Sequence, residues 1–173
     1  MQIDGGDSIL AFVEIAKSQS DLETVRTFFR AYGDFVSSRG IDISLAGIDK
    51  DIAALPSPYA PPDGALLLAR TDEDQALGCV ALKKRTLANG EQACELKRLY
   101  VTPESRGTGA GRILMQAAID WAREQQLASV VLDTHPEKFP EAVRFYESLG
   151  FQRIERFNDN PVPGIDFFRF ALV

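Results

Sequence analysis

The densest chemistry in the chain lies between Glu95 and Arg112, in Glu95-Leu96-Lys97-Arg98-Leu99-Tyr100-Val101 followed by Thr102-Pro103-Glu104-Ser105-Arg106-Gly107-Thr108-Gly109-Ala110-Gly111-Arg112. A strand feeds a glycine-rich turn, and the turn opens a helix. Backbone N–H groups at a helix start have no internal acceptor, and the helix dipole is positive there. Glycines let an anion approach those groups closely. Arg106 and Arg112 add positive charge at the two ends of the turn. This combination reads as an anion site, and a pyrophosphate suits it. A P-loop needs Gly-Lys-Ser/Thr, which is absent. A dinucleotide fingerprint starting at Gly107 needs glycine at 112, which is Arg, and one starting at Gly109 needs glycine at 114, which is Leu.

Composition narrows the setting. The chain has 173 residues, the length of one domain, so residues 1–173 read as a single unit. A chain of this size hides about 70% of its unfolded surface. Its hydrophobic fraction of 45% excludes a disordered chain. Nineteen Lys+Arg against twenty-five Asp+Glu give a net charge of −6, which speaks against general binding to nucleic acid or an anionic membrane surface. Two cysteines, Cys79 and Cys94, and one histidine cannot complete a four-ligand Cys/His zinc site, so no metal is expected. Reduced interior thiols, a Met1–Asp7 start without a signal peptide's basic end, and no apolar run of roughly 20 residues together predict a cytoplasmic protein.

The elements that must position the turn follow from periodicity. Ile9–Ile15 reads as a strand. Ser20 and Glu23 have capping-box spacing ahead of an amphipathic helix over Asp21–Ser38, ended by Gly40. The aromatic stripe from Phe28 to Phe35 reads as core. A short helix is expected over Ala46–Leu55, then a Pro-rich loop through Pro62. Three strands follow, 65–69, 76–82 and 94–101, the last two joined by an Asn89-Gly90 turn. Gly109–Leu127 is a helix, with Ile113, Leu114, Ala117, Ala118 and Trp121 on one face. Ser129–Thr134 is a buried strand. Pro140–Leu149 is a helix capped by Gly150, and Phe151–Phe157 and Asp166–Leu172 are the last strands. The result is an α/β (α+β) fold: one mixed, mostly antiparallel sheet of about seven strands with helices on both faces.

Arg106-Gly107-Thr108-Gly109-Ala110-Gly111 resembles the Arg/Gln-x-x-Gly-x-Gly/Ala signature of the GNAT superfamily of acetyl-CoA-dependent N-acyltransferases. Leu99-Tyr100-Val101-Thr102-Pro103 resembles the strand upstream of that signature, and Phe145-Tyr146-Glu147-Ser148-Leu149-Gly150-Phe151 resembles the family's later Tyr-x-x-x-Gly-Phe segment. The element order agrees along nearly the whole chain. The resemblance implies a GNAT-like fold and acetyl-CoA as cosubstrate. It places the pyrophosphate on the backbone of Arg106 to Gly111, flanked by Arg112. The pantetheine arm would lie along the strand at Leu99, Tyr100 and Val101, where the family's sheet splays. An N–H near Leu99 would polarise the thioester carbonyl.

Acetyl transfer to an amine moves two protons, one off the incoming ammonium and one onto the departing thiolate. The resemblance makes Tyr146 the candidate acid, although a Tyr there also suits packing with Ala142, Val143 and Leu149. It makes Glu95 the candidate base; the alternatives are a solvent-facing Glu paired with Lys97 or Arg98, and a water relay. On an alternating strand only one of Lys97 and Arg98 faces the cleft, and Arg98 either meets a substrate carboxylate, stands as a surface charge, or pairs with a nearby acid. Asp133 stands where the cleft opens, suited to orienting an amine or to capping a turn. His135 reads as an exposed loop residue, and Tyr59 and Asn160 lie in loops able to line an acceptor site. The expected reaction is direct attack of a primary amine on the thioester in a ternary complex. The expected acceptor is a small-molecule or peptide amine, not nucleic acid, and such folds often form homodimers. A non-catalytic coenzyme-A-binding sensor or partner subunit is the alternative.

Overall fold

The computed structural model describes residues 10–172. Ile9 of the expected first strand and the Met1–Asp7 start lie outside the described residues. The first strand, β1, is Ala11–Ile15 and the first helix, α1, is Gln19–Ser38. The capping box sits two residues earlier than Ser20 and Glu23. The Asp21 N–H donates to the Ser18 hydroxyl at 3.0 Å, and the Asp21 carboxylate accepts from the Ser18 N–H at 3.1 Å. Arg70 holds that same carboxylate at 2.8 Å, whereas Glu23 is taken by Arg26 at 2.7 Å. The single helix expected over Ala46–Leu55 is two short ones, α2 (Ile43–Ala46) and α3 (Ile48–Ala54). Gly47 parts them in a left-handed conformation, φ 73°.

The strands β2 (Gly64–Thr71), β3 (Ala76–Thr86) and β4 (Gln92–Val101) form an antiparallel meander with β1. The expected turn at Asn89-Gly90 closes the β3–β4 hairpin, where the Gly90 N–H donates to the Leu87 carbonyl. After a 3₁₀ turn at Pro103–Ser105 come α4 (Ala110–Glu124), β5 (Ser129–Thr134), α5 (Pro140–Leu149), β6 (Gln152–Ile154) and β7 (Asp166–Ala171). The seven strands form one sheet in the order β1-β2-β3-β4-β5-β7-β6, with only β4 and β5 parallel. The strand expected over Phe151–Phe157 ends at Ile154. Beyond it the chain turns inward, with the Phe157 ring edge-on to Phe167.

Alternation along the strands builds a core on each face. Leu67, Val80, Leu82, Cys94 and Leu96 pack on Leu114, Met115 and Ala118 of α4. Leu66, Leu68, Cys79 and Ala81 pack on Val25, Phe28 and Phe29 of α1. Cys79 and Cys94 are buried free thiols on opposite faces.

One irregularity controls the site. Cys79 pairs with Tyr100 and Ala81 with Lys97, so Arg98 and Leu99 together oppose Val80. This is a β-bulge, and Arg98 sits in it at φ +58°. The alternation therefore slips. Leu96, Leu99 and Val101 all face the α4 core, three residues apart and then two. Lys97 and Arg98 consequently turn to the same cavity, contrary to the strict alternation expected of them. The β4–β5 ladder also stops early. It joins only Ala93–Glu95 to Ser129–Val131, after which β4 stays with β3 and β5 with β7. The sheet opens into a wedge beyond Glu95.

Candidate active site

The wedge holds a cavity of about 690 Å³. Glu95, the last β4 residue paired to β5, stands at its apex with a side chain only 3% exposed. Lys83 Nζ lies 3.4 Å and Arg85 Nε 3.6 Å from Glu95 Oε1. Asn158 Nδ2 donates to Glu95 Oε2 at 3.1 Å. Glu95 Oε1 and Arg85 Nε are buried and have no hydrogen-bond partner. Across the wedge, α5 presents Tyr146, 8% exposed, on the cavity wall. Burial, then the neighbouring Tyr32 and Asp133, push its phenol above the usual range. It therefore keeps its proton throughout neutral pH.

The β4 edge is open where β5 has left it. The Thr102 N–H bonds to the Leu77 carbonyl, so the facing pair Val101 and Gly78 is of the non-hydrogen-bonded kind. The N–H and C=O of Val101 thus point away from β3, into the wedge, and the carbonyl accepts from Arg106 Nε at 3.3 Å. Leu99, Tyr100, Val101 and Arg106 all line the cavity. Gly107 through Arg112 do not; they carry the chain on into α4. Gly107 and Gly109 adopt φ +78° and +90°, which non-glycine residues disfavour, and no side chain caps α4. The N–H groups of Arg106 and Thr108 are engaged by the Pro103 and Ser105 carbonyls. Those of Gly107, Gly109, Ala110, Gly111 and Arg112 find no acceptor among the described residues. A Cβ at Gly107 would meet nothing, so the protein leaves the face of this turn open. This free row of donors fits a pyrophosphate. The Arg106 guanidinium lies over Phe35 and that of Arg112 over Phe145.

Other expectations change. His135 is buried rather than exposed. Its Nδ1 accepts from the Lys138 N–H at 3.2 Å, and Gly164 passes so closely that a Cβ there would lie 2.8 Å from its Nε2. Tyr59 belongs to the α1 core, donating to Asp51 Oδ2 at 2.6 Å, and does not line the cavity. Arg98 pairs with an acid of the protein, Asp51, at 3.0 Å and donates to the Ala46 carbonyl at 2.8 Å. Asp133 and Asn160 do line the cavity, and Asp133 Oδ2 accepts from both Asn158 and Asn160. The aromatic stripe divides: Phe28 and Phe29 are core, whereas Tyr32 and Phe35 line the cavity. Lys83, Arg85 and Asn158 were not singled out from sequence. The polar run Asn158-Asp159-Asn160 carried a signal, since side chains of that kind fasten loops to carboxylates. No helix of the described residues is long and apolar enough to cross a membrane.

A cleft carrying Glu95 and a protonated phenol, beside a helix start with free N–H groups, brings together groups that acyl transfer from a phosphate-bearing carrier can use. Residues 44–151 match the acetyltransferase (GNAT) family, and the chain belongs to that family. It is 34% identical to an uncharacterized N-acetyltransferase of Schizosaccharomyces pombe over 92% of this chain and 94% of that protein. A GNAT-family acetyltransferase of Staphylococcus aureus Mu50 shares the fold, with a TM-score of 0.72 at 20% identity, covering 94% of this chain and 99% of that one. So does spermidine N-acetyltransferase from Vibrio cholerae in complex with CoA and spermine, with a TM-score of 0.68 at 16% identity, covering 94% and 95%. The protein is an N-acetyltransferase, acting on an amino group.

Proposed function

We propose that this wedge transfers an acetyl group from acetyl-CoA directly to a primary amine, with Glu95 as base and Tyr146 as acid. The N–H groups of Gly107 and Gly109–Arg112 hold the pyrophosphate, with Arg106 beside them. The open β4 edge at Leu99 and Val101 takes the pantetheine arm as an added strand would, and an N–H near Leu99 polarises the thioester carbonyl. Bound there, acetyl-CoA supplies the activated acyl carbon.

Glu95 accepts a proton from the incoming ammonium, leaving a nitrogen lone pair to form the C–N bond as the C–S bond breaks; the nitrogen then loses its second proton to solvent, and Glu95 releases its own to solvent. Tyr146 donates its proton to the departing sulfur and is reprotonated from solvent. The sum is one amide, one free thiol and one released proton per turnover. The observation that carries this reading is the early end of the β4–β5 ladder, which puts Glu95, Tyr146 and the free β4 edge around one cavity.

The acceptor is a small-molecule or peptide amine rather than nucleic acid, in keeping with the chain's net charge of −6. The two buried free thiols suit a cytoplasmic setting, and assembly into a homodimer is part of the proposal. Thiol release from acetyl-CoA with a panel of amines tests the reaction. Amine-dependent release supports it; acetyl-CoA binding without release for any amine would favour a sensor.

A further inference from the structure

We infer that the acceptor is an α-amino acid, its carboxylate seated on the Lys97 ammonium while its amine reaches Glu95. This rests on the function proposed above and names the substrate class of the same site. The first observation is charge. In a chain of net charge −6, the cavity is lined by six cationic side chains against four acidic ones. A pocket built for a polyamine would show the opposite balance.

The second observation is which charges are already engaged. Arg39 and Arg106 both lie over the Phe35 ring, at 4.8 and 4.9 Å, on the side of the glycine turn. Arg98 is fixed by Asp51 and the Ala46 carbonyl. Lys83 and Arg85 flank Glu95. Lys97 has no hydrogen bond or ion pair among the described residues, although it is largely shielded from solvent.

Burial, then repulsion from Arg98, lowers its pKa against the weaker pull of Glu95, with Lys83 adding to the repulsion. An anion beside it would reverse that imbalance. The acids, by contrast, are provided for. Asp133 is held by two asparagines and Glu141 by Arg39, and Asp159 is exposed. A second cationic group on the acceptor would find no buried acid free to meet it.

The third observation is placement. Glu95 and Lys97 are two residues apart on β4 and line the same cavity, so their Cα atoms are about 7 Å apart. Their side chains can converge on the paired charges of one zwitterion. The Lys97 ammonium would also disfavour the ammonium form of the bound amine, easing proton loss to Glu95.

The test pairs each of the twenty common α-amino acids with its α-amide. Steady-state thiol release and acceptor binding to the CoA-saturated enzyme are both read, in the parent and in Lys97→Met and Lys97→Arg. At least one acid should exceed its amide by about tenfold or more in kcat/KM, the scale of a charge-assisted hydrogen bond. Lys97→Met should erase that preference, Lys97→Arg should keep most of it, and KM for acetyl-CoA should not move.

Turnover of amides or carboxylate-free amines as good as that of the acids would overturn the proposal and leave the acetyltransferase reading intact. Equal losses for acid and amide in Lys97→Met would also overturn it. Binding that depends on both the carboxylate and Lys97, without thiol release, would support the carboxylate site and overturn the proposed reaction. Neither binding nor turnover of any acid would overturn the proposal, and only the further absence of thiol release with every amide and other amine would overturn the proposed reaction as well.

Discussion

Asn158 donates a hydrogen bond to Glu95 Oε2 at 3.1 Å across 63 residues of sequence. The same Nδ2 donates to Asp133 Oδ2 at 2.7 Å, so one amide holds two carboxylates from the strands that diverge at the wedge. In the proposed reaction this fixes Glu95 where the amine loses its proton. Glu95→Gln keeps the shape and removes the base. It should lower kcat by about a hundredfold, within the usual range for general-base loss, with KM for acetyl-CoA unchanged. Steady-state kinetics check this; a loss smaller than about threefold would assign proton removal to a water relay.

Tyr146→Phe removes one oxygen from the opposite wall. The ring packs against Phe145 and Phe151, and those contacts survive the change. The expected result is a fall in kcat of about tenfold or more with little change in acetyl-CoA affinity. Because burial raises the Tyr146 pKa, the parent's kcat should show no falling limb from this group below about pH 10. Equal rates for mutant and parent would remove Tyr146 from proton transfer.

The elements that position this site were legible because their periods are simple. The 3.6-residue stripe of α4 and the alternating residues of β2 and β3 each commit a face to one core. The glycine turn was legible because a helix start with flanking arginines is a local pattern. The bulge was not. A single extra residue reverses every later side chain of a strand, and nothing in Lys97-Arg98-Leu99 signals it. It is set by partners far along the chain, Asp51 and the Ala46 carbonyl, which draw the Arg98 side chain to the α1 side. His135 was misread for a related reason: its burial depends on the Gly164 loop, a tertiary feature.

Five buried acids bind protons more tightly in the fold than in the open chain. Burial raises the pKa of Tyr32, Tyr59, Tyr146 and Cys79, and pushes the Cys94 thiol up to about 12. A group with a raised folded pKa contributes stability that is complete below its unfolded value and is lost as pH rises towards its folded one. Unfolding free energy should therefore fall above about pH 9, where thiols of the open chain ionise, and more steeply above about pH 10, where its phenols do. Each group adds a slope of up to about 1.4 kcal/mol per pH unit. Urea midpoints between pH 7 and 11 measure it, and Cys79→Ala should flatten the first part of the decline.

The bulge depends on a buried ion pair that can be dismantled in steps. The Arg98 side chain is 7% exposed and that of Asp51 14%, and the Tyr59 hydroxyl donates to the same carboxylate oxygen. Arg98→Met leaves that carboxylate without its countercharge and the Ala46 carbonyl without its donor. Removing one partner of a buried pair costs about 3–5 kcal/mol, so a loss of about 3 kcal/mol is expected in urea unfolding. Asp51→Asn restores charge balance while still accepting from Tyr59. The double variant should regain more than half of the loss, because the penalty lies mainly in the orphaned charge. Its kcat should nevertheless stay below the parent's, since the guanidinium that anchors the bulge to α2 and α3 is gone and Lys97 loses its fixed direction. A double variant no more stable than Arg98→Met alone would locate the stabilisation in side-chain packing, and a fully active one would free the bulge from Arg98.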